Sequence, residues 1–294
     1  MYARATRDAW ASEFSATARA FWTTARTAQL AGGKRLAILP GEAPLLLRAL
    51  GLLHRDATMP PTQMRKFLQI NHVVRVLEPA LATLRARHPV VRILDAGCGR
   101  SYLTLLLAWV ARASDHRVEV LGIDRNADVI EECKRRTALA ELDDVVTFRA
   151  AALEDCTGEH AHAVFALHAC DTATDDAIVL GVQTGAELIA VAPCCQAELA
   201  RAWSAHASGA FAPIHAAPHL RHEIAAHLTD AMRMLLLRAA GYAVTPMEFI
   251  GAEHTKKNTL IRALRTEADP AARDEYAALV AATGGIGIAL AGRI

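Results

Sequence analysis

The chain has 294 residues, enough to bury a core of its own, with 32 basic against 31 acidic side chains and a formal net charge of +1. That balance provides no overall field to gather nucleic acid or an anionic membrane, so a polyanionic partner has to be met by a local basic patch. The opening MYARATRDAWASEF lacks a signal-peptide run, the apolar stretch Leu103 to Ala111 is about half of a membrane span, and six scattered cysteines without a leader read as reduced thiols; the expectation is a cytoplasmic chain with no membrane partner.

Residues 1–88 show helical spacing broken at Gly32-Gly33, Pro40-Gly41 and Pro60-Pro61, which predicts three helical pieces. In the third, Phe67, Ile70, Val74, Leu77 and Leu81 form an apolar stripe that should pack on the domain after it. From residue 90 short apolar strands alternate with helices: VVRILDAG, a helix Ser101 to Ala113, VEVLGID, a helix Ala127 to Ala140, VVTF, AVFALHA, a helix Thr174 to Gln183, ELIAVAP. Such alternation predicts an α/β fold with a parallel sheet covered on both faces. A His-rich loop segment, Ile214 to Leu228, precedes a helix through Arg238 and Ala239. Two strands, YAVTPMEFI and NTLIRAL, joined by GAEHTKK, then close the sheet as an antiparallel hairpin. The tail past Asp269 offers a short helix and an unassigned GGIGIALAGRI. The division expected is a helical cap over 1–88, a sheet domain over 89–268 and a tail over 269–294.

The first strand runs into Asp95-Ala-Gly97-Cys98-Gly99-Arg-Ser-Tyr102, at the strand-to-helix switch where open α/β sheets bind ligands. A dinucleotide site would carry a third glycine where Tyr102 stands, so that pyrophosphate could reach the helix. The carboxylate of Asp95 repels a diphosphate and attracts an ammonium. Asp124 ends the second strand, with Arg125 beside it, where a carboxylate can accept ribose hydroxyls. An amino-acid nucleoside with a cationic head meets all these terms, and S-adenosylmethionine is one. Alternatively the glycines make only a tight turn and Asp124 caps the next helix.

Strand four ends in His168-Ala-Cys170-Asp171 and strand five in Pro193-Cys194-Cys195, and a doubly wound sheet sends both ends over the same cleft. Four readings compete there. His168, Cys170, Cys194 and Cys195 are acceptable zinc ligands, but their spacing matches no zinc pattern, and no metal is assigned. Cys194 could add to a pyrimidine as a thiolate nucleophile. Asp171 or His168 could take a proton from an attacking oxygen or nitrogen. Finally, the cysteines could line the pocket while Asp171 or Thr174 caps a helix. The reading preferred is cysteines as lining, with Asp171 functional. On the third helical piece, Arg65, Lys66, Gln69 and His72 share a polar face. The histidines at 215, 219, 222 and 227 follow no standard metal spacing and read as loop and surface residues.

Asp95–Gly99, Asp124 and the closing hairpin resemble class I S-adenosylmethionine-dependent methyltransferases over residues 90–265. The resemblance implies a Rossmann-like sheet and S-adenosylmethionine as cofactor, bound by Asp95, Gly97, Cys98, Gly99, Tyr102, Asp124, Arg125 and His168. It also implies an adenine contact at Ala152-Leu153 with Glu154 or Asp155 nearby, although Ala152 stands where an acidic or amide residue is usual. HACDTATDDAI, APCCQAEL, MRKFLQINH and EHTKKNTLIRAL resemble a narrower group, the methyltransferase-like 25 family, distantly similar to tRNA 2′-O-methyltransferases, from about Met64 to Leu264. Here Asp171 stands where that group usually has glycine. The narrower resemblance implies RNA or a ribosomal protein as acceptor, with Lys66, Gln69, His72, Lys256 and Asn258 toward it. Cys195 is placed with them. The competing class is a non-catalytic scaffold built on the cofactor pocket.

Overall fold

The computed structural model describes residues 2–156, 158–167, 172–193, 197–205, 211–248 and 259–294, with backbone alone for 2–8. Four helices come first: α1 (Tyr2–Phe21), α2 (Thr24–Ala31), α3 (Pro44–Ala49) and α4 (Pro61–Arg87). The single helical piece expected before Gly32 is thus two, and the break has a local cause. Thr23 adopts extended geometry and its hydroxyl accepts the Arg26 N–H, which starts α2. Trp22 turns inward and donates its indole N–H to the Ala57 carbonyl at 2.8 Å.

Along α4 the residues Phe67, Val74, Leu77 and Leu81 are buried as their spacing predicts, and Ile70 is half-buried. Asn71 takes an interior place instead. Its Oδ1 accepts the N–H groups of Ala37 and Ile38 at 2.9 and 2.8 Å, and its Nδ2 donates to the Phe67 carbonyl at 3.1 Å. Three filled hydrogen bonds remove the cost of burying the amide and tie the segment after α2 to α4.

The remaining elements are β1 (Val91–Ala96), α5 (Tyr102–Ala113), β2 (Val118–Asp124), α6 (Ala127–Ala140), β3 (Val146–Ala150), β4 (Ala163–Ala166), α7 (Thr172–Gln183) and β5 (Leu188–Val191). After them come α8 (Glu198–Trp203), α9 (Ala212–His215), α10 (Pro218–Ala239), β6 (Tyr242–Glu248), β7 (Thr259–Arg265) and α11 (Ala272–Ala282). The seven-stranded sheet has the order β3-β2-β1-β4-β5-β7-β6. The pairs β1–β4, β2–β3 and β4–β5 are parallel, whereas β7 runs antiparallel to β5 and to β6. This is the α/β sheet with an antiparallel end that the alternation predicts. Every residue of β4 and β5 is buried, which is why they read as unbroken apolar runs.

The chain packs as two compact units, Met1–Val91 with Cys98–Ala150, and Arg92–Gly97 with Ala151–Ile294. In the first, α3 packs on α1, α5 and α6, α4 packs on α5, and α5 and α6 cover β2 and β3. In the second, α7 covers β4 and β5, while α10 packs on α8, α11, β6 and β7. The tail is tied down here: the Ala289 N–H donates to Glu198 Oε1 at 2.7 Å and Arg293 meets Asp176 at 2.7 Å. Among the described residues no helix is long and apolar enough to cross a membrane.

The His-rich stretch is a correction, because most of it is helix. Pro218 opens α10, where its missing N–H is harmless, and Ala225, Thr229, Met232 and Leu236 form its buried face. His219, His222 and His227 are exposed, but His215 is buried with its ring 4.6 Å from that of Trp203. On the buried side of α10, Arg233 forks onto Asp175 of α7 at 2.6 and 2.9 Å and reaches Asp230 at 3.5 Å. Removing one partner from such a pair leaves a buried charge uncompensated. Arg233→Met is therefore expected to lower urea-unfolding stability by about 3–5 kcal/mol, with much of the loss recovered in Arg233→Met/Asp175→Leu. A single-variant loss below about 1 kcal/mol would contradict this account of the pair.

Candidate active site

From Ala96 the chain turns through Gly97 (φ 68°), Cys98, Gly99 (φ 51°), Arg100 and Ser101 (φ 56°) into α5. The two glycines take the left-handed region without steric cost, so the backbone can make the turn with no side chain filling it. Asp95, the last residue but one of β1, is 2% exposed and lies in register with Phe165 of β4.

The first unit fixes the far side of the turn. The Cys98 N–H donates to the Ile123 carbonyl at 2.9 Å, laying the turn on the end of β2. The Gly99 N–H donates to Asp124 Oδ2 at 3.1 Å, and the Asn126 N–H donates to Asp124 Oδ1 at 2.9 Å. Helix α6 is capped by Asn126, whose Oδ1 accepts the Asp128 and Val129 N–H groups. Asp124 is accordingly no helix cap. Each of its carboxylate oxygens accepts one of these backbone donors and keeps capacity for a ligand hydroxyl. Arg125, next along, is exposed.

On its other side the Gly99 carbonyl accepts the Cys133 thiol at 3.1 Å, with Cys98 Sγ 3.9 Å away. Both cysteines are buried. Hydrogen bonding with Cys98 outweighs burial, which pushes the Cys133 thiol up, and with help from Ser101 and Arg136, against Asp124, lowers it to about 7. Sequence reasoning misses Cys133, although a signal for it is present: Ile130, Cys133, Thr137 and Ala140 form the buried stripe of α6. Gly122 in β2 is a second missed position. A Cβ there would stand 2.6 Å from the Phe148 ring and 3.2 Å from Cys98 Sγ, so only glycine leaves room for both.

Tyr102, the first residue of α5, is half-buried. The Lys66 ammonium lies 3.5 Å from its ring centroid, and the Arg136 guanidinium 5.6 Å away. Burial raises the Tyr102 phenol, but these two cations outweigh burial and hold it below the ordinary value. Arg136 is itself fixed, by Glu132 Oε1 at 2.7 Å and the Arg100 carbonyl at 2.9 Å. Of the other residues on α4, Gln69 is half-buried and His72 exposed.

In the second unit, Ala152 and Leu153 open a 3-10 turn, Leu153–Asp155, in which the Ala152 carbonyl accepts the Asp155 N–H and the Cys156 thiol. Strands β4 and β5 are parallel neighbours, with Ala166 opposite Val191. The residues expected just beyond them, His168, Cys170, Asp171, Cys194 and Cys195, lie outside the described residues. So do His254, Lys256, Lys257 and Asn258.

Residues 65–202 match a family model described as a methyltransferase domain. No curated protein matches the chain. Among solved structures, the magnesium protoporphyrin IX methyltransferase of Synechocystis PCC 6803 with bound S-adenosylmethionine is 14% identical, at a TM-score of 0.44 over 76% of this chain and 90% of that one. An rRNA methylase from Streptococcus thermophilus is 11% identical, at a TM-score of 0.40 over 69% and 97%. Geranyl diphosphate methyltransferase is 16% identical, at 0.36 over 68% and 84%. The assignment rests on the family match and on the chain's own turn. The matched stretch carries a methyltransferase domain. The protein is an S-adenosylmethionine-dependent enzyme.

The thiol pair gives a direct test. Because folding favours the Cys133 thiolate, this group adds stability as pH rises from about 7 toward about 9 and loses it as pH falls through about 7. The difference in ultraviolet thiolate absorbance between wild type and Cys133→Ser should titrate near pH 7, and Cys98→Ala should move that midpoint upward. A midpoint unmoved by Cys98→Ala would contradict the assignment.

Proposed function

We propose that this methyltransferase acts on RNA, a tRNA or an rRNA. The observation that carries the reading is three exposed arginines, each next in sequence to a residue of the turn or of its neighbours. Arg65 adjoins Lys66, Arg100 adjoins Gly99 and Arg125 adjoins Asp124; all three arginines are exposed, and among the described residues none has a carboxylate partner. In a chain with almost no net charge, such a local cluster is what a phosphate backbone needs. The resemblance of MRKFLQINH, HACDTATDDAI and APCCQAEL to the methyltransferase-like 25 family supports the same acceptor class.

In this reading Asp95 pairs with the cofactor's ammonium, the backbone of Gly97, Cys98 and Gly99 lies against its amino-acid end, and Asp124 accepts its ribose hydroxyls. Arg125, Ala152 and Leu153 border the adenine. The fit follows from a left-handed turn whose glycines bear no side chain, hydrogen-bonded to the Asp124 carboxylate, which has lone pairs to offer. S-adenosylmethionine supplies, when bound, a methyl group already activated on its sulfonium. The chain has to add position and a place for one proton. The acceptor is held in line, and Asp171 or His168 takes its proton or orients it. Cys194 is the residue for a covalent route through a pyrimidine, and Cys195 lines the acceptor side with Gln69, His72, Lys256 and Asn258. The helices before β1 shape the acceptor pocket, and the reaction is placed in the cytoplasm.

Calorimetry with S-adenosylmethionine should show binding to wild type and an affinity about 10- to 100-fold weaker for Asp124→Ala, the loss of hydrogen bonds to a charged group. Equal affinities would remove Asp124 from the site. For the acceptor, methyl label from tritiated cofactor should enter the RNA of a deletion strain, and the double variant Arg65→Ala/Arg100→Ala should raise KM for RNA and spare KM for the cofactor. Label confined to the protein fraction would replace RNA with a ribosomal or other protein acceptor.

A further inference from the structure

We infer that the outward side of α2, with Lys34 and Arg35 just past its end, is a docking surface for the phosphate backbone of the acceptor RNA. The inference rests on the reading of RNA as the acceptor and adds to it a second place of contact. The family match begins at residue 65, so α2 lies before the matched stretch.

The sequence sets the charge. Between Glu13 and Glu42 there is no acidic residue, and Arg19, Arg26, Lys34 and Arg35 all fall in that interval. The whole chain has a formal net charge of +1, so this short stretch is basic while the remainder of the chain is net acidic. Arg26, Lys34 and Arg35 are exposed, and none has a carboxylate partner among the described residues. From Arg26 to Ala31 is about 8 Å of helix, and the chain from there to Arg35 reaches at most about 14 Å further. Three unpaired cations over that span match a few neighbouring phosphates of one strand.

The helix itself contributes no core. None of its eight residues is buried, and a helix of that length is marginal on its own. Its ends hold it. The Thr23 hydroxyl accepts the Arg26 N–H at 3.3 Å, and Gly32, in the left-handed region, donates its N–H to the Ala28 carbonyl at 3.1 Å. Arg26 adds a third tie, because its guanidinium lies 4.2 Å from the Phe21 ring centroid and its Nη1 donates to the Phe21 carbonyl at 2.9 Å. A guanidinium laid on a ring keeps donors along its edge for a phosphate, and a side chain already restrained loses little freedom on binding. Thr24, Ala25, Ala28 and Gln29, exposed beside it, carry no charge and little bulk, so a backbone can come close. The same residues favour RNA over a lipid surface, since a helix lying on a membrane needs bulky apolar side chains to insert.

The test is filter binding of end-labelled tRNA and rRNA to the full chain over a range of salt. Each phosphate contact removed lowers the slope of log affinity against log salt by about one. Lys34→Gln/Arg35→Gln is therefore expected to lower the slope by about two, and Arg26→Gln added to it by about three, with affinity about 10- to 100-fold weaker. The control Arg87→Gln/Arg117→Gln removes two exposed cations at the starts of β1 and β2, where the Val91 N–H donates to the Arg117 carbonyl at 3.1 Å, and should keep the wild-type slope. The slope is read within each protein, so a change in the folded fraction cancels. A Lys34→Gln/Arg35→Gln variant with the wild-type slope overturns the inference, as does a control that lowers the slope equally. Binding to phosphatidylglycerol vesicles that this variant loses, while its RNA slope is unchanged, would give the surface to a membrane instead. Failure of wild type to bind either RNA defeats the RNA reading itself, a separate outcome from failure of the α2 assignment.

Discussion

The peptide unit of Gly99 is gripped from both ends, and the site depends on that grip. Its N–H is taken by the Asp124 carboxylate and, while that thiol keeps its proton, its carbonyl by Cys133. A glycine turn is otherwise the most mobile conformation a chain can adopt, because glycine has the most freedom to lose. Here the freedom is used to reach a left-handed geometry and is then removed by hydrogen bonds from two different elements, the end of β2 and the buried stripe of α6. A turn fixed in this way presents a defined surface to a ligand before the ligand arrives.

The same carboxylate thereby serves twice. Asp124 positions the turn through one N–H and its own loop through another, and both oxygens retain capacity for the ribose hydroxyls assigned to them. Gly122 belongs to this arrangement as well, since Phe148 and Cys98 occupy the space that any larger residue would need. Lys66 and Arg136 complete it by surrounding Tyr102, where the turn becomes helix. The helix before β1 thus reaches the residue on which the turn becomes α5.

Legibility in the sequence tracks the range of the forces involved. The strands β4 and β5 are legible because complete burial writes itself as an unbroken apolar run, and Asp95, the glycines and Asp124 are legible because a turn of special geometry needs special residues at fixed spacing. Asn71, Cys133 and Gly122 are not, because each is chosen by a partner far away in sequence: the backbone at Ala37 and Ile38, the Gly99 carbonyl, the Phe148 ring. The histidines of α10 mislead for a related reason. Three of them sit on its exposed side and dilute an apolar face whose helical spacing, Ala225 through Leu236, is regular. The break between α1 and α2 is hidden because the indole of Trp22 finds its acceptor at Ala57, beyond any local pattern.

The proposed function requires a preference: the fixed turn beside Asp95 has to accept a cationic amino-acid nucleoside and refuse a diphosphate. Competitive calorimetry of the wild-type chain with S-adenosylmethionine and with NAD measures that preference directly. The account predicts heat of binding for S-adenosylmethionine and none for NAD, with no displacement of the first by an excess of the second. Saturable binding of NAD that S-adenosylmethionine fails to displace would contradict it.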